Sequence, residues 1–130
     1  MMSKWQELDI EEKITQILRD IPDAAPGHHL GRPFLTAYQI AIEFARRHPK
    51  DAAELDFPIG GAGTGQRNSL AQYLAGQLSK TIKAGRLADI EGGFLSNQHL
   101  NDISFDVDGE IIHSSLTTTG FTLSMFRLRD

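Results

Sequence analysis

The residues best suited to chemistry lie together near the middle of the chain. Gly60, Gly61, Ala62, Gly63, Thr64 and Gly65 form a glycine-rich loop that runs into Gln66, Arg67, Asn68 and Ser69 and then into an amphipathic stretch ending near Gly85. Backbone N–H groups in such a loop, set at a helix N-terminus, attract anions. The spacing from Gly60 to Gly65 is that of a phosphate-binding loop. However, Gln66 and Arg67 stand where that motif needs Lys followed by Ser or Thr. No strongly apolar strand precedes the loop, and no β-α-β pattern follows it, which excludes a nucleoside triphosphatase and a dinucleotide fold. A generic anion or partner site is left, with Gly63, Thr64, Gly65, Arg67, Asn68 and Ser69 as its candidates and Lys80 and Lys83 further along the helix.

Two other groupings could carry chemistry. The five histidines are His28, His29, His48, His99 and His113. No two have the helical spacing of a metal site, and His28 and His29 are expected to diverge, so no metal or other cofactor is expected. His113, Ser115, Thr117, Ser124 and Arg127 form a set that a small metal-independent ribonuclease could use, with a general acid–base group and a cation for the phosphorane. Against this stands charge, because RNA binding needs phosphate neutralisation, and residues 89–130 carry two bases and seven acids.

Charge divides the chain into three parts. Residues 1–23 hold three bases and six acids, and residues 24–88 hold eight bases and four acids. Between Asp56 and Asp89 there is no acidic residue, while Arg67, Lys80, Lys83 and Arg86 all fall there. A chain with formal net charge −4 thus has a basic middle between two acidic ends. The acidic C-terminal part, with Asp102, Asp106, Asp108 and Glu110, could steer a basic protein partner.

The elements that must hold these residues can be read from periodicity. Ile10, Ile14, Ile17, Leu18 and Ile21 make the apolar stripe of a helix within residues 4–21, with Asp9 or the earlier Ser3 as its cap. A second helix is expected over 35–47, with Thr36 and Gln39 as a capping box. It is apolar almost all round, as a central core helix would be. Residues 50–57 read as a helical turn or a loop. A third helix is expected over 68–84, burying Leu70, Ala71, Leu74, Ala75, Leu78 and Ile82. Its polar face is Gln72, Gly76, Ser79, Lys80 and Lys83, and Gly85 is its left-handed end. From there the pattern turns to strands: 89–95, a hairpin turning at Asp108 and Gly109, and a last strand over 121–128 whose apolar phase slips at Phe126. The slip implies a bulge or burial on both faces.

This order of elements predicts one α+β domain spanning 1–130, with three helices packed on one face of a C-terminal three- or four-stranded antiparallel β-meander. There is no cysteine, no secretory signal and no apolar run of membrane-spanning length, so a cytoplasmic protein is expected. The first functional expectation is binding without catalysis: an inhibitor, an immunity or antitoxin-like protein, or an adaptor acting through protein–protein contacts. The alternative is a winged-helix-like DNA-binding regulator that presents Arg67, Asn68, Gln72, Lys80 and Lys83 on its third helix. Two features oppose the alternative. About 20 residues separate the second and third helices, and the hairpin that would form the wing carries Asp106, Asp108 and Glu110.

Overall fold

The computed structural model describes residues 2–22, 26–60, 69–113 and 123–129. Helix α1 (Lys4–Glu7) opens with a complete capping box. Ser3 Oγ accepts the Gln6 N–H, and the Gln6 side chain accepts the Ser3 N–H in return. Asp9 then adopts left-handed backbone (φ 52°) and breaks the expected first helix in two, so α2 spans Ile10–Arg19. Asp9 sits at the N-cap position of α2 but makes no side-chain cap bond there. Its left-handed backbone replaces the extended one that capping geometry uses. Ile10, Ile14, Ile17 and Leu18 are buried as the spacing predicts.

Leu35–Thr36 is strand β1, where the second helix was expected to begin, and α3 follows over Ala37–Arg47. The Thr36–Gln39 capping box is present and marks the switch from strand to helix. Ile40, Ala41 and Phe44 are fully buried, and α3 packs against α2, α5, β1 and β5, so it is central as expected. Helix α4 (Pro49–Leu55) starts on a proline, which pre-sets the first-turn φ and lacks an N–H that would go unpaired there. The long segment between α3 and α5 is thus part helix, and it lowers Leu55 into the core. Helix α5 covers Leu70–Lys83 and ends, as predicted, at Gly85 with φ 77°. Thr81, assigned to neither face beforehand, is buried with its hydroxyl donating to the Gln77 carbonyl. Ala75 and Ile82 are only half-buried.

Strands β2 (Ile90–Leu95), β3 (Ser104–Val107), β4 (Glu110–His113) and β5 (Leu123–Leu128) complete the α+β fold. The C-terminal strands are antiparallel and follow in the expected order, but they are shared between two sheets. The main sheet has the order β1-β5-β2, all antiparallel, and β3-β4 is a separate two-stranded hairpin. Asp108 and Gly109, both at positive φ, make the tight turn. The pairing of β5 with β2 runs unbroken from Leu123–Leu95 to Leu128–Ile90. No bulge therefore causes the slip in phase; Leu123 on one face of β5 and Phe126 and Leu128 on the other are all buried.

Candidate functional site

The start of α5 does not present the open backbone donors that an anion needs. The N–H of Leu70 donates to the Pro58 carbonyl at 2.6 Å and that of Ala71 to the Ile59 carbonyl at 3.1 Å. The N–H of Gln72 donates to Ser69 Oγ at 3.0 Å. The first-turn amides are therefore already satisfied by the chain itself. Ser69, one of the anion-site candidates, is the helix cap. At the same neck Gly60 has φ +128°, and a Cβ there would come within 3.1 Å of Ser69 and 3.2 Å of Tyr38. The backbone conformation and the crowding both require glycine at 60. Gly63, Thr64, Gly65, Arg67 and Asn68 lie outside the described residues.

The exposed side of α5 faces away from this closed helix start and forms one side of the groove described below. Gln72, Gly76, Ser79, Lys80 and Lys83 are all exposed, on one face of 14 residues that span about 21 Å. No described carboxylate pairs with Lys80, Lys83 or the following Arg86. Other cations are engaged: Lys4 with Glu54, Lys13 with Asp51, Arg47 with Asp20 and Glu43, and Arg127 with Glu91.

A groove of about 770 Å³ separates α5 from the sheet. One wall is Ala75, Ile82 and Lys83, and the other is Gly92, Phe94 and Phe126. Gly92 pairs with Phe126 across β2 and β5, and a Cβ at Gly92 would lie 3.0 Å from the Phe126 ring. The bare Gly92 backbone thus leaves room for that ring at the groove. Phe94 is 71% exposed. No described acidic residue lines the groove. Sequence reasoning did not find it, because its walls come from segments whose closeness no local pattern reports.

The acidic residues have partners of their own. The hairpin lies against α3, where Phe105 stacks on Tyr38 with ring centroids 4.9 Å apart. Asp106 Oδ1 accepts the Gly109 N–H at 2.8 Å, and Asp102 meets His113 Nδ1 at 2.8 Å. Asp108 acts electrostatically on Arg46 at the end of α3. Glu110 is exposed beside Ile111, itself 57% exposed.

The described members of the set considered for ribonuclease chemistry stand on different sheets. His113 is on the hairpin and Arg127 is on the main sheet. Arg127 lies under Phe34, its guanidinium carbon 4.4 Å from the ring centre. It also donates twice to Glu91, at 3.0 and 2.8 Å, and to the carbonyls of Leu30 and Arg32. A guanidinium with four of its five N–H groups so occupied fastens the 30–34 segment to the sheet. Ser124 alternates with Arg127 onto the other face of β5. Ser115 and Thr117 lie outside the described residues. His28 and His29, expected to diverge, stack with ring centroids 4.2 Å apart. Among the described residues no cluster of three or more His, Asp or Glu could hold a metal ion, and no helix is long and apolar enough to cross a membrane.

No protein-family model, curated protein or solved structure matches the chain.

Proposed function

We propose that the protein acts by binding rather than catalysis, as a cytoplasmic regulator whose α5 meets duplex DNA. The observation that carries this reading is the exposed, acid-free face of α5, whose Lys80 and Lys83 pair with no described carboxylate, set beside a sheet of order β1-β5-β2. The elements α2, β1, α3, α5, β2 and β5 follow one another as the parts of a winged helix do, with a hairpin between the last two strands. That resemblance of arrangement is an analogy, and the charge on α5 supplies the physical warrant. Both objections raised by the sequence weaken. The long α3–α5 connection includes α4, and α3 and α5 still pack together. The acidic hairpin folds back on α3, with Asp106 and Asp102 engaged within it.

A helix of this size fits the major groove, with Gln72 and Ser79 toward base edges and Lys80 and Lys83 toward phosphates. Fluorescence anisotropy with a labelled duplex of about 25 base pairs at low salt tests the idea. The native protein is expected to bind, with affinity falling as salt rises. Lys80→Glu combined with Lys83→Glu should weaken binding on the order of 100-fold and reduce the salt slope by about 2, with an unchanged melting temperature. Absence of any duplex binding at the lowest salt refutes the reading.

A second reading is favoured by one feature: exposed Ile111 flanked by exposed Glu110 and the Asp108 turn. A basic protein partner could dock on this apolar knob and its acidic rim, as an inhibitor or adaptor would require. Capture of a defined basic partner that is lost on Ile111→Ser with Glu110→Gln would support that reading over the first.

A further inference from the structure

We propose that the groove between α5 and β2 is a ligand site for a small monocarboxylate with an apolar body. The groove shares Gln72, Gly76, Ser79 and Lys83 with the α5 face proposed to meet DNA, but this inference does not rest on nucleic-acid binding. The groove's volume of about 770 Å³ falls within the range of small-molecule sites. Its floor and walls are apolar where Ala75, Ile82 and Phe126 meet, and such surface left concave and open favours an apolar guest. Its one described cation is Lys83, which pairs with no described carboxylate. A site whose described lining has an apolar floor, one positive group and no negative group selects a ligand with one anionic head and an apolar body. A neutral apolar molecule would leave the ammonium unpaired, and a cation would be repelled.

The groove's glycines on β2 and α5 play different parts. At Gly92 the missing Cβ makes room for the Phe126 ring. At Gly76, mid-way along α5, an added Cβ would meet nothing within 4 Å, so the position faces open space on the groove side of the helix. Glycine lowers helix stability at an interior position, and no backbone conformation at Gly76 requires it, since its φ is not positive. A larger side chain would therefore enter the groove and would favour the helix. The absence of a side chain at that position is what a ligand would use.

Octanoate and 1-octanol serve as probes, matched in apolar body and differing in head-group charge. Titration of the native protein, followed by calorimetry and by amide shifts in heteronuclear spectra, should show saturable one-to-one octanoate binding. The largest shifts should fall at Gly76, Gly92 and Phe94, and octanol should bind at least about tenfold more weakly. Lys83→Met should lower octanoate affinity to that of octanol. Gly76→Leu should weaken both ligands about tenfold or more while preserving or raising helix content. Failure of octanoate to saturate up to millimolar concentration overturns the proposal, as do equal affinities of native protein for the two probes. Amide shifts centred away from the groove would overturn it even if Gly76→Leu failed to fold.

Discussion

The cations of α2, α3 and β5 and those of α5 are chemically alike but do different work. Lys13, Arg47 and Arg127 each reach a carboxylate on another element or a distant strand position. They tie α2 to α4, α3 to α2, and β5 to β2 and the 30–34 segment. Lys80, Lys83 and Arg86 reach no described carboxylate. The first set has its positive charge cancelled within the fold and acts as structure. The second leaves its charge facing outward, available to a ligand. Total charge hides the difference, since the chain is acidic overall while one helix face is purely basic.

That contrast can be broken by exchanging stability for binding at chosen positions. Arg127→Met should give the largest change in stability, about 1–3 kcal/mol of destabilisation, because it leaves half-buried Glu91 with only the longer contact to Arg129, at 4.0 Å, and frees two carbonyls. Thermal or denaturant unfolding reads this directly, and duplex affinity should stay unchanged. A loss of duplex binding with native stability would instead move Arg127 into the functional set. Arg47→Met should cost less, about 1 kcal/mol, since it breaks contacts to Asp20 and Glu43 that are partly exposed.

The smallest effect is expected at acid pH. The Arg46 guanidinium, with Arg47 assisting, holds the Glu43 carboxyl at about 2, against 4.5 when unperturbed. As pH falls, the unfolded chain takes up this proton first. The stabilising contribution is therefore whole above about 4.5 and is lost as pH falls toward 2. Melting temperatures measured from pH 6 to pH 3 should fall less steeply in Glu43→Gln than in the native protein. Parallel curves would show that the Glu43 pair contributes nothing to folding.

Much of the architecture was legible because it rests on local rules. Ser3 with Gln6 and Thr36 with Gln39 are capping boxes in the structure, Gly85 ends its helix left-handed, and Asp108 with Gly109 turns the hairpin. The apolar stripe from Ile10 to Leu18 is buried. Each of these depends on residues within a few positions of one another. Strand β1 was not legible: two residues carry no period of their own, and only pairing with Phe126 and Met125, some 90 positions away, makes Leu35 and Thr36 a strand. The separation of the hairpin from the main sheet was equally hidden, because Phe105 packs on Tyr38 through a contact that neither segment announces.

The glycine loop shows the same boundary from the other side. Its composition suggests an anion cradle; Gly61 to Asn68 lie outside the described residues, while Pro58, Ile59 and Ser69 satisfy the first amides of α5. Sequence alone determined that α5 would expose a basic, acid-free face, because helical period and residue type decide which side chains share a face. Only the tertiary structure decided that the helix start is closed, that Arg127 is a structural fastener, and that an apolar groove with Lys83 on its wall lies beside β2. Hydrogen-bond satisfaction, ion pairing and cavity shape depend on which distant segments meet, and that information is not carried by spacing along the chain.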